Sequence, residues 1–183
     1  METGDIVVEY AGHGYDIVYA RSDYVLTSTM AVEVLATADN NAATAIDLKG
    51  NELSNYVTGN EGANRIDGGA GSDYLHGRGG ADTFAFTTAL GAGNVDEIYD
   101  MVSGTDKIGL DDAIFAGIGT AGSFNANAFV AGSAAQDADD RITYDAATGQ
   151  LFYDADGNGA GAQVLFALVA GLPSLGASDF TVI

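Results

Sequence analysis

Four oxygen-bearing side chains recur at nine-residue intervals in the middle of this 183-residue chain. Each is the sixth residue of a segment that begins with Gly, and the four side chains are Asn55, Asn64, Asp73 and Asp82. The segments are GNELSNYVT (50–58), GNEGANRID (59–67), GGAGSDYLH (68–76) and GRGGADTFA (77–85). Carboxylate, amide and backbone carbonyl oxygens are the hard ligands that calcium prefers. A glycine turn that repeats with one such side chain therefore predicts calcium sites.

The same segments also specify the strands that must hold these side chains in place. Position eight of each segment is apolar, namely Val57, Ile66, Leu75 and Phe84. Glycine allows a tight turn, and the last three residues are long enough for one short strand. Two segments then complete one coil, and stacked coils place the position-eight side chains in an apolar column. We therefore predict an all-β protein that contains a parallel β-roll, a β-solenoid of nonapeptide repeats.

Stacked coils bring together position-six residues that are 18 apart in the sequence. The predicted pairs are Asn55 with Asp73, Asn64 with Asp82, and Asp82 with Asp100. In this register Val102 takes the apolar position above Phe84. Affinity for calcium depends on the number of charged ligands. We therefore expect the Asp82–Asp100 site to be the tightest and the Asn55 site to be among the weakest.

An alternative is that these glycines and acids form the solvated turns of a metal-free β-solenoid. Such a solenoid would tolerate Ser, Thr or Lys at position six. All four segments carry only Asp or Asn there, so the sequence favours metal binding.

The composition of the chain favours a cationic partner. Its 26 acidic residues face six basic ones, a net charge of −20, and such a chain repels itself when compact unless cations neutralise part of the charge. The few basic residues exclude nucleic acid as a partner, and the absence of Cys excludes a thiolate metal site. The most apolar stretch, residues 163–172, is too short to span a membrane. The N-terminus lacks a signal-peptide pattern, so secretion would need another route.

The four segments resemble the repeats of the RTX, or haemolysin-type calcium-binding, proteins, whose consensus is G-G-x-G-x-D-x-apolar-x. GGAGSDYLH fits every position, and GRGGADTFA departs only at position two. The resemblance implies that the lower turn of each pair gives carbonyl oxygens from positions two and four, and the upper turn from positions one and three. Carried over to this chain, the implied metal ligands are Asn51, Leu53, Asn55, Asn60, Gly62, Asn64, Gly68, Ala70, Asp73, Gly77, Gly79, Gly80, Asp82 and Asp100.

The chain beyond the repeats resembles other exported bacterial proteins. DEIYDMVSGTDKIGL (96–110) is similar to the segment after the roll in serralysin-type proteases, where the Asp matching Asp100 ligates calcium. Residues 137–180 look like the C-terminal domain of proteins exported by the type I route, through an ABC transporter. This resemblance implies an uncleaved secretion signal at the C-terminus, formed by Asp179, Phe180, Thr181, Val182 and Ile183.

A second, weaker metal motif is DADGNG (154–159), which matches the opening of an EF-hand loop. Its potential ligands are Asp154, Asp156 and Asn158, but Leu165 stands where the bidentate Glu is required. Strand-like residues flank the motif, so we expect a β-hairpin turn, with a weak calcium site as the alternative.

Other residues that could take part in binding or catalysis are better explained by structural roles. His13 and His76 occupy the variable third and ninth positions of their segments and are expected to be exposed side chains. The tyrosines alternate with apolar residues, which is more typical of β packing than of a sugar-binding platform. No pair of acids stands out as a catalytic acid and base.

These observations predict three parts: N-terminal β segments (1–49), an RTX calcium-binding β-roll (50–102) and a β-rich cap with the secretion signal (103–183). Residues 11–19 already show the repeat offsets, with Ala in place of the first Gly. The favoured function is a non-enzymatic, calcium-binding domain of a secreted bacterial protein that folds on extracellular calcium. The alternatives are a C-terminal fragment of a secreted metalloprotease, lipase or mannuronan epimerase, or an extracellular polysaccharide-binding module. The expected partners are calcium and the exporting ABC transporter, with a polysaccharide in the last case.

Overall fold

The computed structural model describes residues 6–8, 14–28 and 30–183, and within them nearly all regular structure is β-strand. The exceptions are two short 3₁₀ turns, Ala126–Ala128 and Ala177–Asp179. The repeat-like unit predicted at 11–19 lies partly outside the described residues, because residues 11–13, which include His13, are not among them. In the described part of the chain no helix is long and apolar enough to cross a membrane.

Most strands belong to two sheets, and the strands are numbered here in chain order. The first sheet has ten strands in the spatial order β1 (Ile6–Val8), β2 (Ile17–Ala20), β4 (Val34–Thr37), β6 (Tyr56–Thr58), β8 (Tyr74–His76), β10 (Asp96–Ile98), β17 (Val164–Val169), β16 (Gln150–Tyr153), β15 (Ile142–Asp145) and β14 (Phe129–Ala131). The second sheet has six strands in the order β18 (Phe180–Val182), β11 (Lys107–Leu110), β9 (Thr83–Phe86), β7 (Arg65–Asp67), β5 (Asp47–Lys49) and β3 (Tyr24–Val25). A separate pair is formed by β12 (Gly119–Thr120) and β13 (Ser123–Phe124).

From β4 to β11 the chain alternates between the two sheets, so each strand lies beside the strand two places later. These pairings are parallel in both sheets. A short strand, a glycine turn and a change of sheet thus repeat along the chain. The predicted all-β fold with a parallel β-roll is confirmed.

The core contains two apolar columns, one on each sheet, and every member of these columns is almost completely buried. In the first sheet strand register stacks Val18, Leu35, Val57, Leu75, Ile98 and Val169. In the second sheet it stacks Leu48, Ile66, Phe84, Ile108 and Phe180. Burial of each such side chain contributes about 1.5–3 kcal/mol. The apolar role predicted for Val102 is wrong, because this side chain is 53% exposed and Ile108 occupies the place above Phe84.

The C-terminal strands close one end of the roll. Strand β16 is antiparallel to both of its neighbours, β15 and β17, and β17 joins the first sheet next to β10. The hairpin turn expected at residues 154–159 is confirmed, since it connects β16 to β17. Strand β18 extends the second sheet beside β11.

Candidate metal centre

The position-six side chains form a ladder beside each apolar column. The backbone N–H of Asn55 donates to Oδ1 of Asp73 at 2.7 Å, and the backbone N–H of Asn64 donates to Oδ1 of Asp82 at 2.8 Å. The side chain of each pair therefore lies directly over the turn below, and all four residues are buried. The predicted stacking of Asn55 with Asp73 and of Asn64 with Asp82 is confirmed.

The predicted stacking of Asp100 on Asp82 is wrong. The backbone N–H of Asp82 donates instead to Oδ1 of Asp106 at 3.0 Å, and the N–H of Asp73 donates to Oδ1 of Asp96 at 3.0 Å. The inserted loops lengthen these spacings to 24 and 23 residues, compared with 18 inside the repeats. Asp96 and Asp106 were missed because the extrapolation kept the spacing of 18. An acid two residues before an apolar residue, a pattern that Asp96 and Asp106 share with Asp73 and Asp82, is the signal that finds them.

Asp100 lies beside the fourth repeat turn and caps its start. Its carboxylate accepts hydrogen bonds from the backbone N–H of Gly77 at 2.9 Å and of Arg78 at 2.7 Å. The same carboxylate lies 3.2 Å from Nε2 of His76, whose other ring nitrogen is 3.1 Å from the hydroxyl of Tyr56. The expectation of an exposed His76 is therefore wrong, because its side chain is only 21% exposed.

Oxygen atoms from two successive turns converge at the first glycine of the lower turn. A Cβ atom on Gly50 would lie 2.1 Å from the carbonyl oxygen of Gly68 and 2.6 Å from Oδ1 of Asn55. A Cβ atom on Gly59 would lie 2.3 Å from Oδ1 of Asn64 and 2.9 Å from the carbonyl oxygen of Gly77. Only glycine leaves this space open. We call the spaces at Gly50 and Gly59 the two glycine cradles. The two oxygens at each cradle are of the kind that calcium binds.

Three of the other carbonyl groups implied as ligands also face the turn above. The carbonyl oxygens of Asn51, Leu53 and Gly62 lie within 3 Å of the Cβ positions of Gly69, Gly71 and Gly80, which all have positive φ angles. The Asn51 oxygen also accepts a hydrogen bond from the backbone N–H of Ala70. The Glu61 carboxylate, from the turn below, takes the place that a Cβ atom on Gly79 would occupy. Among the described residues no three His, Cys, Asp or Glu side chains form a metal cluster, so a cation here must use backbone oxygens as well.

Residues 49–84 match the family model of the RTX calcium-binding nonapeptide repeat in four copies. These RTX repeats bind Ca²⁺ and are a structural, calcium-binding element. The matched segment contains both glycine cradles and both confirmed side-chain pairs, but it ends before Asp96 and Asp106. No curated protein matches the chain.

Asparagine side chains join the RTX repeats to the coils below them, and we call these four residues the asparagine seam. Each donates a side-chain N–H to a backbone carbonyl of the turn below: Asn51 to Thr27 and Met30, Asn55 to Val32, Asn60 to Thr44, and Asn64 to Ile46, at 2.7–3.1 Å. Asn51 and Asn60 also accept from Leu53 and Gly62 of their own turns. An ionised carboxylate has no hydrogen to donate. Amide hydrogen bonds therefore hold the asparagine seam together without a cation. The Asp side chains in the turns above cannot make such bonds when they are ionised.

The carboxylates above the seam are buried without a basic partner. None of Asp73, Asp82, Asp96 and Asp106 forms an ion pair with Lys or Arg in the described part of the chain. Oδ2 of Asp73 is buried and has no hydrogen-bond partner at all. Burial raises the pKa of Asp82 to about 7, against the hydrogen bond from Asn64 and with a further contribution from the Asp106 charge. Burial likewise raises the pKa values of Asp73, Asp96 and Asp106. A cation fits this donor set.

These raised pKa values predict an unusual pH dependence for the metal-free protein. The pKa of Asp82 rises from the ordinary 3.8 of an unfolded chain to about 7 in the fold. The stability that Asp82 contributes is therefore fully present below its pKa in the unfolded chain. This stability is lost as the pH rises through its pKa in the folded protein. We expect the melting temperature of calcium-free protein to rise by about 10 °C from pH 8 to pH 5. Thermal melts of exhaustively dialysed protein measure this, and a melting temperature that falls toward pH 5 contradicts it. In saturating calcium the trend should reverse, because protons compete with calcium for the carboxylates.

The second motif, at residues 154–159, is explained by the hydrogen bonds of its hairpin turn. Oδ2 of Asp156 accepts from the backbone N–H of Gly161 at 3.0 Å, and this bond lowers the pKa of Asp156. Oδ1 of Asp154 accepts from the N–H of Asp156, and Asn158 donates to the carbonyl of Gln136. Calcium binding by Asp154, Asp156 and Asn158 stays a prediction.

Proposed function

We propose that this chain is the RTX domain of a secreted bacterial protein, which leaves the cell unfolded by the type I route and folds on extracellular calcium. The observation that carries the proposal is the ladder of buried carboxylates without basic partners, above all the unpartnered Oδ2 of Asp73. Buried charges that no partner compensates strongly destabilise the folded state. A cation between the turns removes that penalty.

The ligands we propose are those of the two glycine cradles. Around the first ion they are the carbonyls of Asn51, Leu53, Gly68 and Ala70 with the side chains of Asn55 and Asp73. Around the second they are the carbonyls of Asn60, Gly62, Gly77 and Gly79 with the side chains of Asn64 and Asp82. Gly80 and Asp100 stay predicted ligands outside these two sets.

Calcium supplies positive charge between the turns, and the chain's own residues convert its binding into folding. The glycines keep the cradles open, the position-eight column supplies the core, and the strands fix the distance between the turns. A ligand present at 100 times its Kd stabilises the folded state by about 2.7 kcal/mol per site. Calcium is scarce in cytoplasm and plentiful outside cells, so the same chain would be unfolded during export and folded afterwards.

The position of the C-terminal residues in the fold supports this order of events. Phe180 and Val182 are buried in β18 against β11. The Asp179 carboxylate is 1% exposed and accepts hydrogen bonds from Ser103 Oγ and from the backbone N–H groups of Gly104 and Gly176. A transporter that reads residues 179–183 must therefore meet them before the chain folds.

Export can be tested in cells that express a type I ABC transporter. Wild-type chain should accumulate in the medium, whereas a chain without residues 179–183 should stay inside. Ser103→Ala removes a hydrogen bond to Asp179 from outside the signal, so it should weaken the folded contact and leave export intact. Efficient export of the truncated chain, or a loss with Ser103→Ala equal to the truncation, would refute the role of the signal.

A row of stacked tyrosines on the first sheet favours a folding module over the polysaccharide-binding alternative. Tyr56 and Tyr74 stack at a ring distance of 5.1 Å and an interplanar angle of 17°, and Tyr74 also packs against Tyr99 at 5.4 Å. Both faces of the central ring are thus covered by neighbouring rings. A sugar that stacks on an aromatic face has no free central face in this row.

A further inference from the structure

In the first two repeats, the backbone N–H of the second residue is bound by the sixth side chain of the same turn. The N–H of Asn51 donates to Oδ1 of Asn55 at 3.0 Å. The N–H of Asn60 donates to Oδ1 of Asn64 at 2.8 Å. The side-chain oxygen of each Asn is therefore already engaged within its own turn.

In the third and fourth repeats, whose sixth residue is Asp, a different carboxylate binds this N–H group. Gly69 of the third repeat donates to Oδ1 of Asp67 at 3.0 Å. Arg78 of the fourth repeat donates to Oδ2 of Asp100 at 2.7 Å. The N–H of Gly69 is thus directed away from Asp73, whose Oδ2 atom is buried and has no hydrogen-bond partner in the described part of the chain.

Asp67 is held in this orientation by a network that crosses three coils of the second sheet. The residue is 1% exposed, and its Oδ2 atom accepts hydrogen bonds from Nζ of Lys49 at 2.9 Å and from Oγ1 of Thr87 at 2.7 Å. Lys49 also donates to Oγ1 of Thr87 at 2.7 Å. Lys49 lies in β5, Asp67 in β7, and Thr87 directly after β9. Charge-assisted hydrogen bonds of this kind are the strong ones, so the Asp67 carboxylate is fixed in place.

The carbonyl end of Gly69 is held as well. Its oxygen accepts a hydrogen bond from Oγ1 of Thr88. Thr88 is held in turn by Asn94, whose side-chain N–H donates to the same Oγ1 atom at 3.0 Å. With its N–H bound by Asp67 and its carbonyl bound by Thr88, Gly69 has its backbone fixed at both ends.

We propose that Asp67 is a positioning residue for the first calcium site, because it binds the N–H of Gly69 and so keeps Oδ2 of Asp73 free for the ion. The inference rests on the proposed function, since it concerns the ion between Asn55 and Asp73. A hydrogen bond from Gly69 to Asp73 would compete with calcium for the same carboxylate oxygen. Lys49 compensates the charge of Asp67, so this buried carboxylate needs no ion of its own.

Two matched pairs of substitutions separate the oxygen of Asp67 from its charge and size. Asp67→Asn and Asp67→Leu have similar shapes and both lose the ion pair with Lys49, but only the asparagine variant keeps an oxygen for Gly69. Asp67→Ser and Asp67→Ala are both small, and only the serine hydroxyl can accept an N–H two residues later. In each pair, we expect the variant without the oxygen to bind calcium at the first site about tenfold more weakly, since Gly69 then bonds the charged Asp73.

Terbium, a luminescent substitute for calcium, reports on the first site selectively. Tyr56 and Tyr74 directly follow its two side-chain ligands, whereas Arg65 and Thr83 hold the same places at the second site. Light absorbed by tyrosine therefore reaches terbium mainly in the first site. Displacement of terbium by calcium from the whole, chelator-treated chain measures the affinity of this site, and calorimetry follows the other ions. A fold that is merely loosened binds every ion more weakly, because binding and folding are coupled, whereas the positioning role changes only the first.

Equal terbium displacement within each pair, or a loss of affinity shared by every ion, would overturn the positioning role. Either result would leave the proposed function intact, because the wild-type chain would still bind calcium. If the leucine variant does not fold in calcium, the serine and alanine variants decide by the same comparison. A wild-type chain that binds neither terbium nor calcium would overturn both the positioning role and the proposed function.

Discussion

Gly50→Ala is expected to raise the calcium concentration needed for half-maximal folding at least about tenfold, to the point where the repeats no longer fold at millimolar calcium. The added Cβ would lie 2.1 Å from the backbone carbonyl oxygen of Gly68 and 2.6 Å from Oδ1 of Asn55. Both oxygens belong to the proposed site, and the nearer one is backbone and cannot turn away. The added methyl group therefore both separates the two turns and blocks the cradle. Far-UV circular dichroism during a calcium titration measures the midpoint.

Gly93→Ala is the matched control for this substitution. A Cβ atom on Gly93 would meet no atom within 4 Å, although it also lies in a glycine-rich turn before a ladder acid. Its calcium midpoint should equal that of the wild type. Equal midpoints for the two alanine variants would mean that the cradle at Gly50 holds no ion.

The double substitution Asn55→Asp and Asn64→Asp is expected to make the asparagine seam depend on calcium. In chelator it removes the amide donors to the carbonyls of Val32 and Ile46 and adds two buried charges in their place. Leaving a buried charge uncompensated costs about 3–5 kcal/mol, so the double variant should be unfolded in chelator. In calcium we expect its stability to recover and its stoichiometry to increase, because each new carboxylate completes a site. Urea unfolding with and without calcium measures the difference.

Asn127→Asp provides the control for added charge. Asn127 is exposed and lies in the short 3₁₀ turn, so this change alters the net charge without a ladder contact. Its stability should change little in either condition. A double variant as stable in chelator as Asn127→Asp would contradict the role of the seam.

The repeats were predictable from the sequence because their spacing is uninterrupted from residue 50 to residue 85. Where each coil has the same length, neighbours in space are simply 18 residues apart, and both the apolar column and the pair Asn55–Asp73 follow. The amide contacts of the seam were not predictable, because the spacing does not reveal which carbonyl lies below a given Asn.

Prediction failed where loops break the spacing. Beyond Phe86 the chain makes a longer excursion before β10, and only the pairing of Ile98 with Leu75 restores the register. That pairing depends on contacts in space, so a fixed step of 18 residues ended at Asp100 in place of Asp106. His76 was misjudged for the same reason, since its partner Asp100 lies in a different coil. The division of the chain into three parts stays a prediction.

The most direct test of the account compares circular dichroism and thermal unfolding of the whole chain at pH 8 in calcium and in chelator. The ladder of buried, unpaired carboxylates predicts cooperative unfolding at high temperature in calcium. In chelator it predicts loss of most β-structure, or a melting temperature lower by about 20 °C or more. Equal β-structure and equal melting temperature in the two conditions would contradict the claim that calcium binding drives folding.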